Sequence, residues 1–230
     1  MIALLAFTAM AQAQQPKYTM VTWQLVVLKD GPDKTPVSAE AGAKMQRDHL
    51  GNLKWLMDKG YAAALGPLEG EGDWRGLVLM NVQSSDEAKA LMADDPYVKA
   101  GKMAIEVYPW FFGKYDGLFD QRSAGFLDIE PHKIVFLMRP ANAPTVTKEE
   151  GEKLQSGHMA NIQAMADTGW LAAAGPMAVD TPFRGIFLFR TNDEKLVRKL
   201  MAPDPAIKRG RLAPRVMTWY VAKGLIPPKQ

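Results

Sequence analysis

Histidine is the side chain best suited to acid–base work near neutral pH, and this chain has three: His49, His132 and His158. His49 recurs with Met45 and Leu53 on an apolar helical stripe, and His158 lies between Leu154 and Ile162 on another. Both rings therefore point inward. Each is either a general acid/base in a partly apolar cleft or a core histidine satisfied by a backbone carbonyl. His132 follows Pro131 at a strand start and reads as exposed. Asp95 and Asp204 each precede a proline, the pattern of a capping aspartate ahead of a first-turn proline. Arg75 and Arg184 each sit before a strand glycine, where a guanidinium either orients an anionic substrate through two bonds or lies solvated at a strand end. Tyr97 offers either a hydroxyl to the first site or a partly buried packing surface.

These residues come in pairs because the chain is one domain written twice. The stretch 46–67 reads QRDHLGNLKWLMDKGYAAALGP, and 155–176 reads QSGHMANIQAMADTGWLAAAGP. His49 and His158 are 109 positions apart. The same offset relates Asn52 to Asn161, Gly60 to Gly169, Gly66-Pro67 to Gly175-Pro176, Arg75 to Arg184, Asp95 to Asp204 and Trp110 to Trp219. About two dozen positions between Gly42 and Trp110 are identical in this register, which is too long a period for a solenoid repeat.

The elements that must position them can be read from local pattern. Tyr18 to Leu28 is β-branched and aromatic and predicts a strand. A helix runs from about Ser38 to Gly60, which ends it as a C-terminal glycine. Tyr61 to Leu65 is a strand closed by Gly66-Pro67, where glycine serves close approach or an unusual dihedral and proline stops the strand. Gly76 to Val82 is a strand, Ser85 to Met92 a helix and Lys102 to Phe112 the closing strand. The order strand, helix, strand, strand, helix, strand is the ferredoxin-like unit. Such a sheet carries both helices on one face and needs a cover for the other, which a second copy supplies. The fold class expected is α+β: two tandem ferredoxin-like repeats, 18–112 and 131–222, joined by a linker over 113–130. Trp110 and Trp219 anchor the last strands, the fourteen methionines suit an adaptable barrel interior, and the tail GLIPPKQ carries no packing signal.

Composition excludes several classes. There is no cysteine, so thiolate nucleophiles, disulfides and cysteine-bound zinc are out. Net charge is +3, and apart from a modest cluster at Lys208, Arg209, Arg211 and Arg215 the basic residues are scattered, which does not suit nucleic acid. No phosphate loop, nucleophile elbow or metalloprotease spacing occurs, and neither a metal nor a cofactor is expected. The apolar run MIALLAFTAM with Ala11-Gln12-Ala13 after it has the form of a signal peptide over 1–13, though no basic residue precedes it. It predicts cleavage after Ala13 and a periplasmic or secreted protein that is not membrane-embedded.

His49-Leu50 in the first helix, Gly60 to Pro67, and Asp95-Pro96-Tyr97-Val98-Lys99-Ala100-Gly101 together resemble the YCII-related domains. The second half carries the pattern with Met159 after its histidine and Ala206 in place of Tyr97. The resemblance implies a dimeric α+β barrel, here built within one chain, and a His–Asp pair: His49 with Asp95, His158 with Asp204. One class of relatives eliminates chloride from a chlorinated hydroquinone, and the wider fold group includes lactone isomerases and small monooxygenases. The resulting expectation is a cofactor-independent lyase or isomerase acting on a small organic acid or phenolic compound, with His49 as the acid/base and Asp95 orienting it. Arg75, Tyr97 and Arg184 would contact substrate, and the pair of His158 with Asp204 would be a further or vestigial site. The alternative is a non-catalytic small-molecule binding or structural module. Further self-association is left open.

Overall fold

The computed structural model describes residues 18–115, 117–120 and 125–229. The expected export segment 1–13, with its cut before Gln14, lies outside the described residues. Each half has the predicted order. The first contains β1 (Tyr18–Asp30), α1 (Ala39–Asp58), β2 (Ala62–Glu69), β3 (Trp74–Met80), α2 (Ser85–Met92), a single turn α3 (Pro96–Lys99) and β4 (Met103–Tyr115). The second contains β5 (Ile129–Met138), α4 (Lys148–Asp167), β6 (Leu171–Pro176), β7 (Phe183–Phe189), α5 (Glu194–Met201), the turn α6 (Pro205–Lys208) and β8 (Ala213–Ala222). Ser38 caps α1 by accepting from the Ala41 amide at 3.2 Å. Gly60 ends it at φ 78°, with its amide donating to Met57 and that of Tyr61 to Leu56, a Schellman closure.

The eight strands close into one antiparallel barrel in the order β1-β3-β2-β8-β5-β7-β6-β4. Two short seams join the halves: Leu68 and Glu69 of β2 pair with Trp219 and Thr218 of β8, and Gly113 and Lys114 of β4 pair with Ala174 and Ala173 of β6. Strand alternation sorts the core into three bodies. Leu25, Val27, Trp110, Phe112, Phe136 and Trp219 face the interior. Val26 and Val78 turn outward under α1 and α2 with Leu53, Leu56 and Met92. Val135 and Phe187 do the same under α4 and α5 with Met165 and Val197.

Several expectations are corrected. β2 does not stop at Gly66-Pro67 but continues to Glu69, because its end must reach β8. Pro67, which has no amide to donate, sits where β2 leaves β3 for that new partner. The segment 113–130 is not a plain linker: β4 extends to Tyr115, β5 begins at Ile129, and Leu118 and Phe119 are buried in the interior core. The tail also packs, with Leu225 and Ile226 buried in that core and the Leu225 carbonyl accepting from the Phe119 amide at 2.8 Å. The barrel interior is aromatic rather than methionine-rich. Of the fully buried methionines Met80, Met92, Met165, Met201 and Met217, only Met217 belongs to it. His132 is buried, not exposed: its Nδ1 faces the Phe189 carbonyl at 3.3 Å.

Candidate functional site

The first turn of α3 and of α6 places an aspartate against the helix that carries a histidine. Asp95 Oδ1 accepts from the Tyr97 amide at 3.0 Å, while its Oδ2 lies 2.5 Å from His49 Nδ1. Asp204 Oδ1 accepts from the Ala206 amide at 2.9 Å, while its Oδ2 lies 2.6 Å from His158 Nδ1. Each carboxylate therefore caps a helix with one oxygen and meets an imidazole with the other. Both are completely buried, and both rings are nearly so. The structure thus brings together each histidine with the aspartate that the family resemblance assigns to it.

In the second half, helix α4 approaches α6 through Gly157. A β-carbon there would fall 2.6 Å from Pro205 Cγ, so the absence of a side chain lets the Asp-Pro turn lie against α4 one residue before His158. Burial by itself would raise the Asp204 carboxyl. The hydrogen bond and charge of His158, with the Ala206 and Ile207 amides, outweigh it and hold the group below its ordinary value. An ionised Asp204 accepts from Nδ1–H, which leaves Nε2 of His158 as the nitrogen available for chemistry.

The two sites differ in what surrounds the ring. At His49, Tyr97 stands edge-on with ring centroids 5.2 Å apart, and its hydroxyl donates to Gln46 Oε1 at 3.0 Å. At His158 the equivalent residue is Ala206, and a cavity of about 650 Å³ opens beside the ring. Its walls are mostly apolar, with Leu154, Ile162 and Phe187 among them, and Phe187 stacks on the imidazole at 6.0 Å. Asn161, one turn beyond His158, is buried with its Nδ2 unpartnered among the described residues, whereas Asn52 at the matching position reaches Asp95 Oδ2 at 3.5 Å.

The two candidate substrate arginines also part company. Arg75 is taken up by Asp30, donating from Nε and Nη2 at 2.8 and 2.7 Å, and does not line the cavity. Arg184 does line it, its nearest acid being the exposed Asp180. Arg139 and Arg211 join Arg184 at the same cavity, and neither is among the site residues that the sequence suggests. The signal that points to them is the mismatch between the repeats: Arg139 stands where the first half has Asp30. Among the described residues no cluster of three or more histidine or carboxylate side chains could hold a metal ion. No described helix is long and apolar enough to cross a membrane.

Known proteins resemble this chain to different extents. The family model of the YCII-related domain matches residues 23–111. Among solved structures, a heme-binding protein from Thermus thermophilus superposes with a TM-score of 0.53 at 12% identity, over 91% of this chain and 95% of that one. A chlorite dismutase-like protein gives 0.56 at 6% identity, over 89% and 96%. At such identities the likeness is one of fold: a closed α+β barrel of ferredoxin-like sheets. A 5-chloro-2-hydroxyhydroquinone dehydrochlorinase from Burkholderia phenoliruptrix AC1100, solved with 2,5-dihydroxybenzoquinone, is 30% identical over 38% of this chain and 92% of its own, with a TM-score of 0.29. Among curated proteins none matches.

Proposed function

This chain belongs to the YCII-related domain family through residues 23–111, and from that premise we propose that it is a cofactor-independent lyase or isomerase using a His–Asp pair on a small organic acid or phenolic compound. The observation that carries the reading is the second pair, with its buried carboxylate 2.6 Å from His158 Nδ1 and a cavity beside the ring. Asp204 holds the tautomer in which Nε2 is the base and stabilises the imidazolium formed when Nε2 takes a proton. The electron pair left on the substrate either expels a leaving group, giving elimination, or accepts the proton back at another atom, giving isomerisation. Neither route requires an oxidant or a metal.

The emphasis between the two pairs differs from the sequence-based expectation, which favours His49 and Asp95. The open space beside His158 supports the pair of His158 with Asp204 as the working one.

The test is turnover of a panel of chlorinated hydroxyhydroquinones, hydroxylated phenolic acids and unsaturated lactones by the wild type and by His49→Ala, His158→Ala and Asp204→Asn. Loss of turnover in His158→Ala with an unchanged melting temperature supports the proposal. Ligands that raise the melting temperature without being turned over would favour the binding-module reading instead. Export belongs to the same proposal and rests on residues 1–13 alone. N-terminal sequencing of protein recovered from a periplasmic fraction should begin at Gln14.

A further inference from the structure

The cavity beside α4 is lined by cationic groups of which Arg184 and His158 have acids behind them, Asp180 and Asp204, while Arg139 and Arg211 have none among the described residues. Three arginines and His158 line it, and among its described lining residues there is no aspartate or glutamate. The first half shows how the same scaffold neutralises its cations: Asp30 binds Arg75, and Asp33 holds Lys102 Nζ at 2.8 Å. In the register of the repeat those two acids become Arg139 and Asn142, while Arg75 and Lys102 become Arg184 and Arg211. At these four places two carboxylates have been removed, one cation has been added, and the guanidinium groups rise from one to three.

Strand register gathers the three guanidinium-bearing residues at one end of neighbouring strands. Met138 pairs with Phe183 of β7 and with Ala213 of β8. Arg139 just past β5, Arg184 near the start of β7 and Arg211 just before β8 therefore lie at the same barrel end. Arg211 Nη1 donates to the Pro144 carbonyl at 2.6 Å, and Arg184 meets Asp180, whose side chain is 85% exposed. Arg139 has no ion pair or side-chain hydrogen bond among the described residues. A cationic rim above an apolar wall suits a ligand with one anionic end and an apolar body, since guanidinium pairs with carboxylate through two charge-assisted bonds.

We propose that this cavity binds an organic carboxylate with an aromatic or branched apolar body, its carboxylate held at the Arg139, Arg184 and Arg211 rim and its body lying between Ile162 and Phe187 beneath His158. The inference names the substrate class for the acid–base reading and rests on that reading only for the chemistry after binding.

Calorimetric titration of the full chain with 2-naphthoate and with its neutral isostere 2-naphthamide tests it. Naphthoate should bind, naphthamide should bind roughly tenfold more weakly or worse, and the difference should shrink at high salt. Arg139→Gln with Arg184→Gln should weaken naphthoate by a similar factor and leave naphthamide unaffected. Ala206→Tyr, which restores the first half's residue, should abolish both. Equal affinity for the two probes, wild-type naphthoate affinity in the double arginine variant, or binding of neither probe would overturn the proposal. If naphthoate binds as expected while Asp204→Asn turns over every substrate at the wild-type rate, the acid–base reading falls and the carboxylate site stands.

Discussion

Asp204 Oδ2 lies 2.6 Å from His158 Nδ1 while its other oxygen accepts from the Ala206 amide at 2.9 Å. One buried side chain thus starts a helical turn and orients an imidazole, and the two duties can be separated. Asparagine caps a helix as well as aspartate does, but it carries no charge to stabilise an imidazolium. Asp204→Asn should keep the turn and lower turnover by about 10²–10⁴-fold, the usual range for a lost acid–base contribution. Asp204→Ala should lose the cap too and cost roughly 1 kcal/mol more stability than the asparagine variant. Urea denaturation and steady-state rates on both variants check this. Equal stability of the two would remove the capping role, and full turnover in Asp204→Asn would remove the orienting one.

The depressed Asp204 carboxyl also predicts an acid limb. Its folded value lies below the ordinary 3.8, so the unfolded chain takes up the proton first. The stabilisation is complete above that ordinary value and is lost as pH falls through the lower folded one. Asp30, Asp33 and Glu194, held down by hydrogen bonds from Arg75, Lys102 and Arg198, add to the same limb. Wild-type stability should fall steeply from about pH 4 downward. The difference between wild type and Asp204→Asn should shrink as pH falls below about 4. A difference that stays constant to about pH 2 would contradict the shift.

His132 predicts a second, milder slope nearer neutrality. Burial pushes its imidazole below the ordinary 6.5, although Glu130 Oε1 lies 3.6 Å from its Nε2. The unfolded chain again binds the proton first, so the folded state is favoured above that value and loses stability as pH drops below it. The comparison is with His132→Gln, which removes this one group. The stability gap between wild type and that variant should narrow between about pH 7 and 5. A gap that widens on acidification would mean that the Glu130 pair outweighs burial.

What the sequence discloses and what it hides have different physical origins. The repeat register makes the fold readable, because identities such as Gly60 with Gly169 and Trp110 with Trp219 mark positions where both halves solve the same backbone problem. The histidine stripe is readable from helical spacing. The burial of Phe119 and Leu225 is not, since the loop and tail residues that join the interior core carry no period. The charged rim of the cavity is hidden for the opposite reason to the fold. It lies in the differences between the halves, Arg139 against Asp30 and Ala206 against Tyr97, whereas the repeat is recognised by their identities.

Barrel closure itself rests on a glycine in each seam. A β-carbon on Gly175 would fall 2.0 Å from the Phe111 carbonyl oxygen and 2.6 Å from Phe112 Cα, and the Gly175 carbonyl accepts from Trp110 Nε1 at 3.1 Å. Gly66 stands in the same relation to β8, with the Tyr220 carbonyl oxygen 1.9 Å from where its β-carbon would be. These neighbours are main-chain atoms, which cannot rotate aside, so the strands would have to separate. Gly175→Ala should therefore cost at least about 3 kcal/mol, the upper end for overpacking. Gly51→Ala is the control. It lies within α1 with nothing near its added methyl, and should be neutral or stabilising by up to about 1 kcal/mol. Denaturation midpoints of the two variants separate a seam effect from a general intolerance of alanine. A wild-type midpoint for Gly175→Ala would mean that β4 and β6 are not held as closely as their pairing requires.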